Sequence, residues 1–255
     1  FALISQKFHY ARPRFTNKNT LDLKAARHPI LERLNPTEKF IPNHIKLDDQ
    51  NCLVMIITGP NMAGKSTVMR MSALIILMAQ IGCYVPCEEA TLGVTDRIFT
   101  RVGAHDYLQK GLSTFMVEMV ETAKILREAT SKSFIILDEI GRGTSTFDGL
   151  SLAWSIAENL HDQIRARTLF ATHYHELCDL ENKKNSIKNY HMSVKEWNDQ
   201  IIFLRKLKPG GTNRSYGVTV ASMAGIPQNV INRSKEILKL LEIKDVTGAF
   251  KVGET

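Results

Sequence analysis

The hydrophobic positions of this chain follow two alternating rhythms. Short, continuous apolar runs occur at Leu53-Val54-Met55-Ile56-Ile57, Phe134-Ile135-Ile136-Leu137 and Thr168-Leu169-Phe170-Ala171, each closed by a turn or by polar residues. Runs this short, apolar at every position, predict strands buried on both faces of a parallel sheet. A further strand-like segment covers 97–102. Between the runs lie longer stretches with helical spacing, which predict helices over 65–80, 115–129 and 150–164. Such alternation specifies an α/β fold, a largely parallel sheet with helices on both faces.

The two ends of the chain read differently. Residues 1–9 carry a helix-like pattern, with Leu3, Ile4 and Phe8 on one side, ended by Arg12-Pro13-Arg14. The stretch around Pro29, Pro36 and Pro42 reads as extended segments and turns. Residues 190–195 and 200–207 alternate like an antiparallel pair, and Pro209-Gly210-Gly211 is a loop. Segments 216–224 and 227–241 read as two short helices joined by Gly225-Ile226, a helix-turn-helix shape.

Bulk composition narrows the class. With 255 residues and 44% hydrophobic content, the chain can bury a sizeable core as one large domain, or as one domain with an appendage. The net charge of +7 fits a nucleic-acid-associated protein without specifying one. The densest basic patches, Arg12-Pro13-Arg14, Lys183-Lys184 and Arg205-Lys206-Leu207-Lys208, read as solvated surface in preference to DNA contacts. Cys83 and Cys87 have no second Cys/His pair at zinc-finger spacing and are separated by Pro86. All four cysteines therefore read as free thiols of a reducing compartment. The apolar stretch 71–81 is too short to span a bilayer, and the first residues lack a signal-peptide layout. The abrupt start at Phe1 suggests a fragment of a longer protein.

The sharpest chemical signal is Gly59-Pro60-Asn61-Met62-Ala63-Gly64-Lys65-Ser66, which matches G-x-x-x-x-G-K-[ST] in full. Its glycines let the backbone turn tightly and present N–H groups to phosphates. Lys65 supplies positive charge for the β- and γ-phosphates, the Ser66 hydroxyl suits Mg²⁺, and the following helix points its positive end at the anion. A strand before the loop and a helix after it supply the context that this mechanism requires. In Phe134-Ile135-Ile136-Leu137-Asp138-Glu139 a strand ends in two carboxylates. Asp138 is expected to hold Mg²⁺ at the sheet's carboxyl edge, and Glu139 to orient a water for in-line attack. His173 ends the next apolar strand at the same edge and is a candidate for contact with the γ-phosphate and that water. The neighbouring His175-Glu176 lacks the H-E-x-x-H spacing of a zinc peptidase.

Four stretches taken together resemble the MutS family of DNA mismatch-repair proteins, in its C-terminal ABC-type ATPase domain. They are Thr58-Gly59-Pro60-Asn61-Met62-Ala63-Gly64-Lys65-Ser66-Thr67, Ser113-Thr114-Phe115-Met116-Val117-Glu118-Met119, Asp138-Glu139-Ile140-Gly141-Arg142-Gly143-Thr144-Ser145 and Ala171-Thr172-His173-Tyr174. The resemblance runs from Arg27-His28-Pro29 to the helical end. It implies a P-loop NTPase fold of the ABC-ATPase type with a C-terminal helix-turn-helix dimerisation element. The implied plan is the end of a preceding helical domain at 1–20, the ATPase domain at 21–212, and a dimerisation segment and tail at 213–255.

The resemblance further implies Mg²⁺-dependent ATP hydrolysis at sites shared across a homodimer or a heterodimer of paralogues. On that basis Phe40 stacks on adenine, Gly59, Pro60, Asn61, Met62, Ala63, Gly64, Lys65, Ser66 and Thr67 bind ATP, and Asn61 lies near the γ-phosphate. Ser66 and Asp138 hold the metal, and Lys65, Glu139 and His173 serve catalysis. Ser113 completes the partner's site in trans, and Asp148 with the loop 141–146 links the two sites. Ser215-Tyr216-Gly217 begins the dimerisation helices. Ala63 stands where many relatives have Gly, and Arg205 where many have His. DNA would be held by domains outside this chain, a MutL-type partner recruited, and no membrane engaged. The place of work would be the cytoplasm and nucleoid of a bacterium or the nucleus of a eukaryote.

Other readings fare less well. The apolar load of the last helix (Val230, Ile231, Ile237, Leu238, Leu240, Leu241) suits packing on a partner subunit better than reading base edges. Gly111-Leu112-Ser113-Thr114-Phe115 is not the signature of a transporter ATPase. A non-hydrolysing DNA-binding module leaves Asp138 and Glu139 without a purpose. A family member acting in recombination or anti-recombination would share the same ATPase chemistry.

Overall fold

In the computed structural model the described residues are 2–34, 39–103, 113–197, 200–212 and 216–247. The apolar runs form the middle of a six-stranded sheet. Strand β4 (Val54–Thr58) is buried throughout, and so are β8 (Arg167–Ala171) and the first four residues of β7 (Phe134–Asp138). With β6 (Ile98–Arg101), β9 (Ile187–Trp197) and β10 (Gln200–Pro209) the order is β10-β9-β4-β8-β7-β6. All pairings from β9 through to β6 are parallel. Consecutive residues of these strands serve opposite faces, as a two-residue period requires. Met55, Ile57, Phe134, Ile136, Leu169 and Ala171 join one core cluster, whereas Val54, Ile56, Ile135, Leu137 and Phe170 join the other.

The first cluster is covered by α3 (Lys65–Gln80), the second by α4 (Thr114–Glu128), α5 (Thr146–Asn159) and the short α6 (Leu180–Lys183). Helix α3 has the bounds that its periodicity predicts. Helix α5 begins earlier than 150, because Ser145 caps it by accepting from the Asp148 N–H at 3.3 Å. It also stops earlier: residues Leu160–Ile164 widen into a π-helical turn. The pair β9/β10 is longer than predicted. It is antiparallel, with Gly210 N bonded to Asn189 O and Ser193 Oγ to Lys206 O.

A second, four-stranded sheet in the N-terminal part was not foreseen. Strands β1 (Arg14–Thr16), β2 (Thr20–Ala26), β3 (Asn43–Asp48) and β5 (Glu89–Gly93) lie in the order β1-β5-β2-β3. Leu21, Leu23, Ile45 and Leu47 point into the first core cluster. The register of β2 shifts between Leu23 and Ala26, where Ala25 takes φ 48°. Arg167, with no solvent exposure, ties the two sheets together. It donates to Thr20 O (2.8 Å), Thr95 Oγ1 (2.8 Å) and Lys132 O (3.0 Å). Helix α1 (Ala2–Lys7) precedes β1, and the single turn α2 (Leu31–Leu34) follows β2.

Residues 1–194 and 203–213 form one compact unit, and 195–202 with 214–255 form another. In the second unit α7 (Gly217–Met223) and α8 (Gln228–Thr247) contact each other through a turn in which Gly225 has φ 87°. Helix α8 extends beyond its predicted end at 241. Its Ile231 is buried, whereas Val230, Ile237, Leu240 and Leu241 are exposed. Among the described residues no helix is long and apolar enough to cross a membrane.

Candidate functional site

Parallel register brings the carboxyl ends of three strands to one rim. Asp138 pairs with Ala171, and Ala171 with Ile57, so the residues following β4, β7 and β8 emerge side by side. From β4 the chain enters residues 59–64, a loop that turns on three left-handed residues: Gly59 (φ 124°), Met62 (φ 68°) and Gly64 (φ 105°). A non-glycine residue such as Met62 holds that conformation only where its surroundings impose it. Gly64 brings no side chain to cap α3, so the positive end of the 16-residue helix faces the loop's concavity. Lys65, only 5% exposed, folds back over the loop. Its Nζ donates to Gly59 O at 2.6 Å and to Asn61 Oδ1 at 3.4 Å. Burial lowers the Lys65 pKa, while Glu139 and Asp138 oppose the shift.

Ser66, one residue on, donates its hydroxyl to Asp138 Oδ2 at 2.6 Å. The other oxygen of Asp138 is buried without a hydrogen-bond partner. A buried carboxylate oxygen left unmatched calls for a cation or water. Glu139 follows in a left-handed conformation (φ 59°), which turns its carboxylate away from the strand. It lies 2.6 Å from Arg142 Nη1 and 3.7 Å from Lys65 Nζ. Arg142 also directs its Nε toward His173 Nδ1 at 3.4 Å. Desolvation, and after it the charge of Arg142 and Lys65, pushes the His173 pKa down to about 4, so the imidazole is neutral near pH 7. Its ring lies 4.1 Å from that of Tyr174.

A cavity of about 500 Å³ at this rim is lined by Pro60, Asn61, Met62, Gly64, Lys65, Ser66, Thr67, Asp138 and Glu139 of the predicted set, and Gly59, Ala63 and His173 are not among its lining residues. Arg70, Arg101 and Glu118 line it too, without having been nominated from the sequence, and so does Arg142, which the sequence reading placed only within the linking loop 141–146. Glu118 ties the loop after β7 to α4 by accepting from Gly141 N at 2.7 Å, and Arg101 lies 3.7 Å from the same carboxylate. On a helix face or at a strand end, such charges look like ordinary surface. Only the fold turns them inward.

Phe40 is elsewhere, in an adjoining pocket of about 300 Å³ that shares Met62, Gly64 and Thr67 with the first. Ser113 borders neither of these cavities; it caps α4, accepting from Met116 N at 3.1 Å. Asp148 bonds Ser145 within the cap of α5, and the neighbouring Gly149 packs against Gly141 and the Tyr174 hydroxyl. Ser215 lies outside the described residues. Among the described residues no group of three or more His, Cys, Asp or Glu side chains could hold a metal ion, and the four cysteines are free.

The fold and rim thus define an α/β domain whose cationic loop and paired acids meet at the carboxyl edge of a parallel sheet. The family model of MutS domain V matches residues 55–242. The DNA mismatch repair protein MutS of Thermodesulfovibrio yellowstonii is 56% identical over 249 residues, covering 96% of this chain and 29% of that protein. The protein of the same name from Myxococcus xanthus is 55% identical over 251 residues, covering 98% and 28%. That from Desulfatibacillum aliphaticivorans is 56% identical over 235 residues, covering 91% and 26%. The chain belongs to the MutS family, in the region of its domain V, and spans little more than a quarter of the length of these relatives.

Proposed function

We propose that this chain is the ATP-binding and ATP-hydrolysing domain of a mismatch-repair protein, with a P-loop NTPase fold of the ABC type. It works in a dimer to control the grip of DNA-holding domains and the recruitment of a MutL-type partner. Its place of work is then wherever the DNA is, nucleoid and cytoplasm or nucleus. The single observation that carries the reading is the Ser66–Asp138 pair, 2.6 Å apart, with one buried carboxylate oxygen unmatched beside Lys65 at the start of α3. Ser66 and Asp138 would hold Mg²⁺ by one hydroxyl and one carboxylate, an ion that requires few protein oxygens, so no larger acidic cluster is needed. When bound, the metal supplies charge neutralisation at the phosphates. The relatives' shared name favours mismatch repair over a recombination role.

In this mechanism Lys65 exchanges Gly59 O and Asn61 for phosphate oxygens, and the loop N–H groups complete the cradle. Glu139 accepts a hydrogen bond from the attacking water and aligns it with the γ-phosphorus. Arg142 must first release that carboxylate, and the γ-phosphate, carrying more charge, competes for both cations. Neutral His173 reaches the same phosphate or its water. As the water oxygen bonds to the γ-phosphorus, the bond to the β,γ-bridging oxygen breaks. ADP and inorganic phosphate leave, and the water's proton goes to the phosphate or the solvent. Ser113 of a second copy closes the site, and Phe40 faces the adenine.

The test is Lys65→Ala, with ATP affinity measured by equilibrium titration in Mg²⁺. Loss of the charge-assisted bonds is expected to weaken binding by about a hundredfold. Unchanged affinity sinks the reading.

A further inference from the structure

The pocket that holds Phe40 is assembled from distant parts of the chain. Phe40 and Ile41 come from just before β3, Arg205 from within β10, Met192 from β9, and Met62, Gly64, Thr67 and Val68 from α3 and its loop. One side chain bolts the first two together. Asn43, only 1% exposed, donates both amide hydrogens, to Ile41 O at 3.1 Å and to Arg205 O at 3.0 Å. Its Oδ1 accepts from Leu207 N at 2.7 Å. Lys206 adds a parallel tie, its Nζ donating to Pro42 O at 2.5 Å.

The backbone of Asn43 already pairs with Ala26 in the sheet, so strand pairing does not explain why a fully committed amide is buried there. What the amide does hold is the carbonyl of Arg205, whose φ of 52° is left-handed in the middle of a strand. A non-glycine residue keeps such a conformation only where neighbours determine it. The bolt therefore fixes which way Arg205 faces and how far it stands from Phe40.

We infer that Asn43 is a positioning residue for nucleobase recognition, setting the separation of the Phe40–Ile41 and Arg205 walls. The inference rests on the nucleotide-binding reading above. Asn43 touches the base pocket and takes no part in holding the phosphates. Loosening it therefore lowers affinity for a ligand with a base and spares one without.

The test compares ATP with inorganic tripolyphosphate, which carries three phosphates and no base, by equilibrium titration of the full chain in Mg²⁺ at about pH 8. Asn43→Asp keeps the acceptor for Leu207 N but sets a carboxylate oxygen against the Ile41 and Arg205 carbonyls. ATP is expected to weaken by about tenfold or more, and tripolyphosphate by less than about twofold. Lys206→Ala opens the same clamp from the Pro42 side and is expected to shift the ratio the same way, by less. It decides the matter if Asn43→Asp does not fold. Equal weakening of both ligands, or undiminished ATP affinity, overturns the inference. A natural chain that binds neither ligand overturns the nucleotide reading itself.

Discussion

Replacing Arg167 by Met keeps an aliphatic stem and removes only the guanidinium that joins the two sheets. Three acceptors within 3.0 Å lose their donor: Thr20 O, Thr95 Oγ1 and Lys132 O. At about 1–1.5 kcal/mol for each buried acceptor left unmatched, the loss is ~3–5 kcal/mol. Relief of desolvation works against this. Burial lowers the Arg167 pKa to about 10, so the group stays charged at neutral pH at a cost that the variant escapes. The lower end, about 3 kcal/mol, is therefore expected. The chain has only two tryptophans, and Trp154 sits in α5, within the unit that Arg167 braces. With Trp197→Phe as background, Trp154 fluorescence in a urea titration reads that unit alone. Arg167→Lys keeps the charge but reaches fewer acceptors, and should fall between. A loss below about 1 kcal/mol for Arg167→Met, with unchanged denaturant slope, would show that the sheets are held by apolar packing alone.

Three further outcomes follow from the rim. Ser66→Ala should remove most of the tightening that Mg²⁺ gives to ATP binding, about tenfold or more, whereas tightening equal to the natural chain's would place the metal elsewhere. A Cβ at Gly149 would meet the Tyr174 hydroxyl and Gly141 O, so Gly149→Ala should displace the loop after β7 and cut ATP turnover by about tenfold. Full activity in that variant would mean that the loop plays no part. His173 should titrate by NMR near 4, and Arg142→Ala should move its midpoint up toward 6.5. Because the folded pKa lies below the unfolded 6.5, the folded state binds fewer protons between about 4 and 6.5. The His173 contribution to stability is thus present above 6.5 and lost as pH falls through that window. A midpoint near 6.5 in the natural chain contradicts the burial of the ring together with its crowding by Arg142 and Lys65.

The strands at 54–58, 134–138 and 167–171 were legible because burial on both faces leaves a continuous apolar run, which few other structures produce. The loop 59–64 was legible because its chemistry is local: glycines where φ is positive, then Lys65 and Ser66 at the helix start. The four-stranded sheet was missed although Leu21-Asp22-Leu23 and Ile45-Lys46-Leu47 do alternate. Those runs are short, Ala25 interrupts one of them, and the pairing of Arg14 with Thr91 is too distant for a local pattern to reveal. The start of α5 was misjudged because the Ser145-Thr146-Phe147-Asp148 cap carries no apolar periodicity, although its Ser and Asp are capping residues. Arg101 and Glu118, and Arg142 as a lining residue, were hidden for a different reason: a charge becomes a lining residue only when three elements converge on it.

The clamp between 41–43 and 205–207 also dates the pocket in the life of the chain. Its two halves are 162 residues apart, so a nascent chain on the ribosome has the phosphate loop long before it has the second wall. On the proposed reading, a chain not yet extended to residue 207 would meet a nucleotide with its phosphate loop and without the second wall. If the pocket takes a base as proposed, selectivity for that base would therefore arise only after the last strand of the sheet is in place.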